Sequence, residues 1–401
     1  MVDTPGPPPP RPGTIRAAAP TAKIFVADQD SEGVIRQSLD DLGIDDVEFT
    51  TGTVETAIAT LATETSPRLL VVDISDLVDP VSRIDELAER CEPDIGVIVI
   101  GKRNDITLYR ELKDAGVTEY FFKPLVRDLV KLACNRILTG EPDTAANRRT
   151  GKIVFVLGVR GGVGATTIAT GAAHHLAGLR QSWVMLVDLD LQHGDAALQL
   201  DVSPSHSLTE ALEKPDRVDK LFIERGRIHV AERLDLLASL ETLDHKAVIA
   251  EDAVLSLFGK LSRRYRFIFV DLPASEAVGL MRVLHQPSTC VLISDGSLAS
   301  ARDIVRWREP IGPNTPERKT LHVLNMKGAA NCLTATEYAR AIGQAPDITI
   351  PFDREIAAAS NFGVKATQKC EELNRGISRL LRDIAGEPEE PPPSILKRIF
   401  G

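Results

Sequence analysis

The sequence predicts an α/β protein built from two doubly wound parallel-sheet domains, and three observations support this fold class. Short apolar runs of strand length alternate with amphipathic stretches of helix length, a pattern that favours parallel sheets. The chain has 401 residues, which is enough for two such domains. A polar stretch, TGEPDTAANRRT, interrupts the alternation, so we predict a linker at residues 141–150.

The first predicted domain, residues 21–140, consists of five consecutive strand–helix units. The strands are predicted at 23–27, 47–50, 69–72, 95–100 and 120–122, and the helices at 31–42, 54–63, 81–91, 106–115 and 126–138. In such sheets the functional residues gather at the carboxyl ends of the strands. Asp28, Asp73 and Lys123 follow the first, third and fifth strands, and Asp30 stands two positions after Asp28. These four residues form a predicted acid pocket.

This constellation resembles the receiver domain of response regulators, which has a flavodoxin-like fold. The resemblance implies that Asp73 is the phosphoacceptor and that Lys123 senses its charge. The sequence departs from the pattern in two places: the second acid is displaced to Asp30, and Gly101 stands where a Thr or Ser should bind the phosphoryl group. A cation site short of one carboxylate holds Mg²⁺ less well. We expect a degenerate receiver used as a docking surface, and the alternative is a switch phosphorylated at Asp73.

The second predicted domain, residues 151–386, opens with a strand, a glycine-rich loop and a helix in immediate succession. Backbone N–H groups of such a loop converge on a phosphate, and its glycines allow the close approach. A functional P-loop reads GxxxxGK[ST]. Here Ala165 replaces the lysine, whereas the hydroxyl at Thr166 is kept. The predicted nucleotide-binding residues of the loop are Arg160, Gly161, Gly162, Val163, Gly164, Ala165, Thr166 and Thr167. The alternative is an ordinary glycine-rich turn.

Acidic residues follow two further apolar strands of this domain, predicted at 183–187 and 267–270. A carboxylate at the end of a buried strand beside a P-loop holds Mg²⁺ through its water shell. We therefore predict a Mg²⁺ site at Thr166, Asp188 and Asp271, with Asp190 orienting the attacking water if the site is active. The alternative for each acid is a helix N-cap.

Two later segments are predicted to contact the base of a nucleotide. Asn325 follows a strand at 321–324 and is placed to hydrogen-bond an adenine edge. Pro351 and Asp353 precede a helix at 354–362 and could wall the base. A simple turn after a strand is the alternative for both segments.

Five motifs, RGGVGATT, VDLDLQHGD, FVDLP, VLNMKG and IPFDREIAAASNFG, together resemble the ParA/MinD family of deviant P-loop ATPases. Joined to a degenerate receiver, they resemble the CpaE/TadZ proteins of tight-adherence (Flp-type) pilus assembly. That resemblance implies a nucleotide-sandwich homodimer in which Arg160 reaches the partner's phosphates. It also implies localisation at a cell pole and association with the pilus secretion ATPase, its inner-membrane platform or pole-localising proteins.

The missing lysine decides what activity to expect. In P-loop enzymes a lysine neutralises charge on the transferred phosphoryl group, and this is worth a few kcal/mol of barrier. Arg160 can replace it only in part, through a bidentate phosphate clamp. With ATP and Mg²⁺ as cofactors, we expect binding without fast hydrolysis. The alternative is an active ParA/MinD-type ATPase for DNA partition or division-site placement. Such an enzyme requires the lysine and, for DNA partition, a basic face.

Charge and cysteine usage exclude several classes of partner. The chain carries 57 acidic and 47 basic residues, and the excess lies in residues 21–140. Neither domain has the basic surplus of a nucleic-acid-binding protein, so no specific nucleic acid is expected. The five cysteines are scattered singly and indicate reduced thiols, not a metal site or the shared cluster of an iron-protein reductase.

The chain ends carry weaker signals. Residues 1–20 are Pro-rich and predict a disordered arm, and residues 387–401 predict a disordered tail. The tail finishes in ILKRIF, which is either a frayed terminus or a docking peptide with weak peripheral membrane affinity. No leader is recognisable and no apolar run reaches about 18 residues, so we expect a cytoplasmic protein.

Overall fold

The structure, a computed structural model, describes residues 19–93, 95–139, 150–180, 182–244, 248–330, 332–360 and 362–385. Two sheets lie within them, one of five strands and one of eight. We call the elements of residues 22–139 the five-stranded unit and those of residues 152–385 the eight-stranded unit. The predicted arm, linker and tail fall almost entirely outside the described residues, so those predictions stay predictions.

The five-stranded unit alternates strands and helices as predicted, with every bound within two residues. Its strands are β1 Ala22–Val26, β2 Val47–Thr51, β3 Leu69–Asp73, β4 Gly96–Gly101 and β5 Glu119–Phe122. Its helices are α1 Gln29–Asp40, α2 Val54–Leu61, α3 Pro80–Arg90, α4 Ile106–Asp114 and α5 Arg127–Thr139. The strands are all parallel in the order β2-β1-β3-β4-β5, which is the flavodoxin-like order. The α/β prediction is therefore confirmed here, whereas the receiver role is not decided by topology.

The eight-stranded unit is built around a central parallel strand. Its strands are β6 Lys152–Gly158, β7 Val184–Asp188, β8 Ile228–Ala231, β9 Leu234–Ala238, β10 Phe267–Leu272, β11 Ser288–Ser294, β12 Arg318–Lys327 and β13 Ile348–Pro351. The order is β13-β12-β11-β6-β10-β7-β9-β8, and β8 alone among these strands runs antiparallel to its neighbour. Each strand predicted in this part of the chain overlaps an observed one.

Helices cover both faces of this larger sheet. They are α6 Ala165–Leu179, α7 Ala196–Gln199, α8 Ser207–Glu213, α9 Lys220–Gly226, α10 Glu251–Leu261, α11 Ala274–Ala277, α12 Met281–Leu284, α13 Leu298–Ile311, α14 Ala335–Ile342, α15 Arg354–Ser360, α16 Val364–Thr367 and α17 Glu371–Ala385, with 3₁₀ turns at Pro215–Arg217 and Val278–Leu280. Side chains of β6 alternate between two buried layers: Val154 and Val156 face the layer of α6 and α17, and Phe155 and Leu157 face the layer of α10.

Strand register brings the ends of three strands to one edge of the sheet. β10 pairs with both β6 and β7, and Asp271 lies directly opposite Asp188. The turn after β6 leaves from the same edge, so the predicted loop and acids share one location. In the part of the chain that the structure describes, no helix is long and apolar enough to cross a membrane.

Candidate functional site

The glycine-rich turn at the end of β6 leads directly into a helix through two glycines with left-handed backbone conformation. β6 ends at Gly158 and α6 begins at Ala165. Gly162 and Gly164 have φ of 80° and 87°, in the left-handed region that favours glycine. The first backbone N–H groups of α6 have no acceptor within the helix and carry its positive dipole end. The turn and the helix together offer an anion several N–H donors.

Asn325 secures this loop from the side. Its side-chain Nδ2 donates to the carbonyl oxygen of Val163 at 2.9 Å, and a Cβ on Gly164 would lie 2.6 Å from the same nitrogen. A bulge in β12, with Met326 at a φ of 54°, places Asn325 here. One N–H of the amide is therefore committed to the loop, and contact with an adenine stays a prediction for Asn325.

The segment after β13 lies beside that bulge. Pro351 pairs with Lys327 of β12. The Asp353 carboxylate accepts the backbone N–H of Glu355 at 2.8 Å, in the first turn of α15. The structure thus shows Asp353 in a turn-capping role, and a wall for a nucleotide base stays a prediction for both residues.

Thr166 and the acid at the end of β10 come together as the sequence predicts. The Thr166 hydroxyl hydrogen-bonds the carboxylate of Asp271. Ala165, at the position of the P-loop lysine, lies directly under the turn, since its Cβ is 3.1 Å from where a Cβ on Gly158 would be. The site therefore keeps the hydroxyl and the acid but has a methyl group in place of an ammonium group.

Two buried carboxylates face each other at this edge. Asp188 and Asp271 are 1% and 7% exposed. Burial raises the pKa of both groups, and for Asp188 the negative charge of Asp271 raises it further. Within the described residues neither carboxylate forms an ion pair, although Asp188 accepts backbone N–H groups of Asp190 and Ala196, each at 3.1 Å. The site holds an excess of negative charge in a poorly hydrated place.

The loop after β7 shapes this acidic cluster. A Cβ on Gly194 would lie 2.4 Å from a carboxylate oxygen of Asp188, so the loop closes tightly over that acid. The Asp190 carboxylate accepts the backbone N–H of His193 at 2.9 Å. Asp190 and Asp195 both add negative charge that acts on Asp271. Sequence reasoning missed Asp195, although it lies in the quoted VDLDLQHGD motif.

The donor set fits Mg²⁺ held through water and phosphate. Mg²⁺ prefers oxygen ligands, keeps several waters and is bound through one or two carboxylates plus phosphates. Thr166, Asp188 and Asp271 supply one hydroxyl and two carboxylates. Across the described ranges, no group of three or more His, Cys, Asp or Glu residues could hold a metal ion. The protein would therefore supply only some of the Mg²⁺ ligands. A bound cation would reduce the repulsion between the two buried carboxylates.

Arg160 forms an ion pair with an acid of α13. Its Nη1 lies 2.9 Å from a carboxylate oxygen of Asp303, which also pairs with Arg302 at 2.8 Å and Arg306 at 3.6 Å. Burial raises the pKa of Asp303, but the arginines more than offset this, so the pKa is lowered. Sequence reasoning missed Asp303 because 143 positions separate it from Arg160.

A lysine partly neutralises the acid pocket of the five-stranded unit. Lys123 Nζ lies 2.5 Å from carboxylate oxygens of both Asp28 and Asp73. Asp73 is fully buried and also accepts the backbone N–H of Ser75 at 2.8 Å. Burial raises the pKa of Asp28 and of Asp73, yet the hydrogen bonds from Lys123 and neighbouring donors outweigh it, and both pKa values are lowered. Asp30 is exposed in the first turn of α1.

Tyr120 fills the space beside Gly101. A Cβ on Gly101 would lie 2.9 Å from the Tyr120 hydroxyl, which donates to the carbonyl oxygen of Arg103 at 2.7 Å. A Thr or Ser at this position would need the ring to move. Gly101, which departs from the receiver pattern, is therefore matched to the position of the Tyr120 ring.

Comparisons with known proteins agree with the P-loop part of the prediction. The family model of the cellulose biosynthesis protein BcsQ matches residues 151–300. The septum site-determining protein MinD of Synechocystis is 26% identical over 157 residues, or 39% of this chain. The chain spans 61% and 57% of the lengths of two curated MinD relatives that it matches.

Solved structures extend this comparison. The CpaE2 pilus assembly protein of Sinorhizobium meliloti is 30% identical, with 29% of this chain and 98% of that one covered and a TM-score of 0.28. The ParA family ATPase of Chlorobium tepidum is 23% identical, with 57% of this chain and 96% of that one covered and a TM-score of 0.50. The chain therefore contains the α/β fold of the ParA/MinD-type ATPases.

Proposed function

We propose that this chain is an ATP-binding, weakly or non-hydrolysing localisation and scaffolding protein for the assembly of tight-adherence (Flp-type) pili. One observation carries the proposal: the nucleotide site keeps its amides, hydroxyl and acids but has Ala165 in place of the catalytic ammonium group. Such a site is suited to holding a nucleotide and poorly suited to hydrolysing it.

Each retained group has a role in binding. The turn at 159–164 and the start of α6 would hold the phosphates through backbone N–H groups. Thr166, Asp188 and Asp271 would hold Mg²⁺ through its water shell, and the ion would neutralise phosphate charge. Asp190 is left to orient a water if hydrolysis occurs at all. Without a lysine, charge that builds on the transferred phosphoryl group is poorly stabilised.

The proposal includes a homodimer that closes over bound nucleotide. Arg160 would contact the partner's phosphates in that state, which requires it to leave Asp303. The partners we propose are the pilus secretion ATPase and its inner-membrane platform or pole-localising proteins, at a cell pole or peripheral to the membrane. This assignment rests on the order of a receiver-like region and a ParA/MinD-like region in the sequence.

Measured ATP turnover tests the central claim. We expect the purified chain to bind labelled ATP with Mg²⁺ and to hydrolyse it slowly, and we expect Ala165→Lys to raise the rate by about tenfold or more. Thr166→Ala is the matched control, since it should weaken Mg²⁺-dependent binding without restoring a cation. Brisk hydrolysis by the unaltered chain would instead favour an active ATPase for DNA partition or division-site placement.

The response-regulator alternative has its own test. Acetyl phosphate with Mg²⁺ should leave the chain unmodified, because the pocket lacks a second adjacent acid, with Asp30 exposed, and has Gly101 where a hydroxyl would hold the phosphoryl group. Incorporation of phosphate that disappears in Asp73→Asn would show that the acid pocket is a working switch.

A further inference from the structure

One arginine of the eight-stranded unit is buried against the other unit. Arg233 directly precedes β9 and is 1% exposed. Charged side chains are almost never fully buried unless they are paired. The partners of this guanidinium therefore indicate why it lies there.

Two of its partners are the last carbonyl groups of two helices. Arg233 Nη1 donates to the carbonyl oxygen of Arg90 at 2.9 Å, and its Nη2 donates to the carbonyl oxygen of Leu61. Leu61 and Arg90 are the final residues of α2 and α3. The last carbonyls of a helix have no N–H donor within the helix and carry its negative dipole end. A planar guanidinium with donors in a fixed fork can serve two such ends at once.

The surroundings of Arg233 support a built contact between the units. The guanidinium lies over the ring of Trp183, with 4.7 Å to the centroid. Arg266, which precedes β10, lines a small cavity together with Cys91 and Val117 of the five-stranded unit. The charge of Glu92 acts on Arg264 across the same boundary. Several side chains from the two units therefore meet at one place.

A buried charge network braces the strand that carries Arg233. The carboxylate of Asp235, within β9, accepts bonds from Arg227 at 2.6 Å and from the Tyr265 hydroxyl at 2.7 Å. Arg227 and Asp235 are both nearly inaccessible to solvent. The network ties the β8–β9 hairpin to the segment before β10, so Arg233 projects from a rigid edge.

The direction of the strands fixes what this contact does. Trp183, Arg233 and Arg266 precede β7, β9 and β10, so they lie at the amino edge of the larger sheet. α2 and α3 end where the chain returns to the amino edge of the smaller sheet. We propose that Arg233 is a docking residue that holds the two units amino edge to amino edge. The acid pocket and the nucleotide loop then face opposite ends of one rigid molecule, available to two partners at once.

Small-angle X-ray scattering on the full chain tests this docking. Arg233→Ala should raise the radius of gyration by ~10% or more above the roughly 21 Å expected for a compact chain of this length. Arg233→Lys keeps the charge but loses the fork, so it should give a smaller increase. Arg225→Ala, an exposed arginine of α9, is the matched control and should scatter like the unaltered chain.

Thiol labelling separates loss of docking from loss of folding. Cys134 and Cys290 are buried, one in each unit. In a folded but undocked Arg233→Ala chain both should stay protected from iodoacetamide. If either thiol becomes reactive, Arg233→Ala has lost its fold. The radius of gyration is then compared for Arg233→Lys, provided that both of its thiols stay protected. An unchanged radius of gyration in a folded Arg233 variant would overturn the proposal.

Discussion

The two units place a pair of aspartates at the same kind of location but balance their charges in opposite ways. In the five-stranded unit, Asp28 and Asp73 share the ammonium group of Lys123, 2.5 Å from each, and their pKa values are lowered. In the eight-stranded unit, Asp188 and Asp271 face each other without an ion pair among the described residues, and their pKa values are raised. The first pair has a lysine between its carboxylates, whereas no described cationic side chain pairs with the second.

This difference teaches where an external cation can act. Desolvation penalises the charged form of a buried carboxylate, and a cation within hydrogen-bond distance reverses the penalty. Lys123 provides that cation within the chain, so Mg²⁺ would have to displace it. Ala165 provides none, so among the described residues only hydrogen-bond donors reach Asp188 and Asp271, and a proton or a bound ion would relieve them further. The first pocket therefore has a cation of its own, whereas a bound cation would lower the charge repulsion in the second.

Removing the internal cation should produce the largest effect on stability. We expect Lys123→Met to lower the free energy of unfolding at pH 7 by about 2–4 kcal/mol, less than for a wholly buried pair because Asp28 is partly exposed. Urea unfolding measures this change. The loss should shrink below pH 5, where the unpaired Asp73 can take up a proton.

Lys131→Met is the matched control for that experiment. Lys131 pairs with Asp41 at 3.3 Å on the surface, so its loss should cost less than about 1 kcal/mol. Equal losses for the two variants would contradict the idea that Lys123 completes the acid pocket.

The pH dependence of stability should reveal the second pair. Raised pKa values mean that the folded chain retains protons that the unfolded chain releases above its ordinary carboxyl pKa of 3.8. Stability must therefore fall as pH rises toward neutrality, and we expect a loss of about 1–2 kcal/mol between pH 5 and pH 8. The lowered pKa values of Asp28 and Asp73 act only below 3.8, where their contribution disappears.

Urea unfolding across this range, with and without Mg²⁺ and ATP, checks the assignment. Bound Mg²⁺ should flatten the profile, because it replaces the protons that the two carboxylates otherwise need. A profile that is already flat without ligand would contradict the raised pKa values of Asp188 and Asp271.

The sequence predicts the strand ends well because they follow from local pattern. An apolar run that stops at an acid or at a glycine-rich turn identifies the carboxyl edge of each sheet. The parallel register then brings Asp188 and Asp271 together as expected. The hydrogen-bond partner of a side chain, in contrast, does not follow from the local sequence. Asn325 binds a carbonyl 162 positions away, and Arg233 binds a carbonyl 172 positions away. No periodicity carries that information, which arises only when distant elements pack.

Neutralising one member of the repelling pair should stabilise the chain. We expect Asp271→Asn to raise the free energy of unfolding without ligand by about 1 kcal/mol at pH 7, since it removes a buried charge and keeps an acceptor for Thr166. The same variant should lose the rise in Tm that Mg²⁺ and ATP give the unaltered chain. Asp216→Asn, at an exposed turn, should change neither quantity. Destabilisation by Asp271→Asn would mean that the charge is already compensated.

Replacing Arg160 should have the smallest effect on stability. It also tests whether this arginine supplies the cation that Ala165 does not. Its side chain is 43% exposed and paired with Asp303, so Arg160→Ala should change the free energy of unfolding by less than about 0.5 kcal/mol. If Arg160 is the cation that a second chain receives, this variant should weaken ATP-dependent dimerisation, whereas Asp303→Asn should strengthen it by freeing the guanidinium. Sedimentation with and without ATP measures both. Shifts in the same direction would show that the Arg160–Asp303 pair only holds α13 in place.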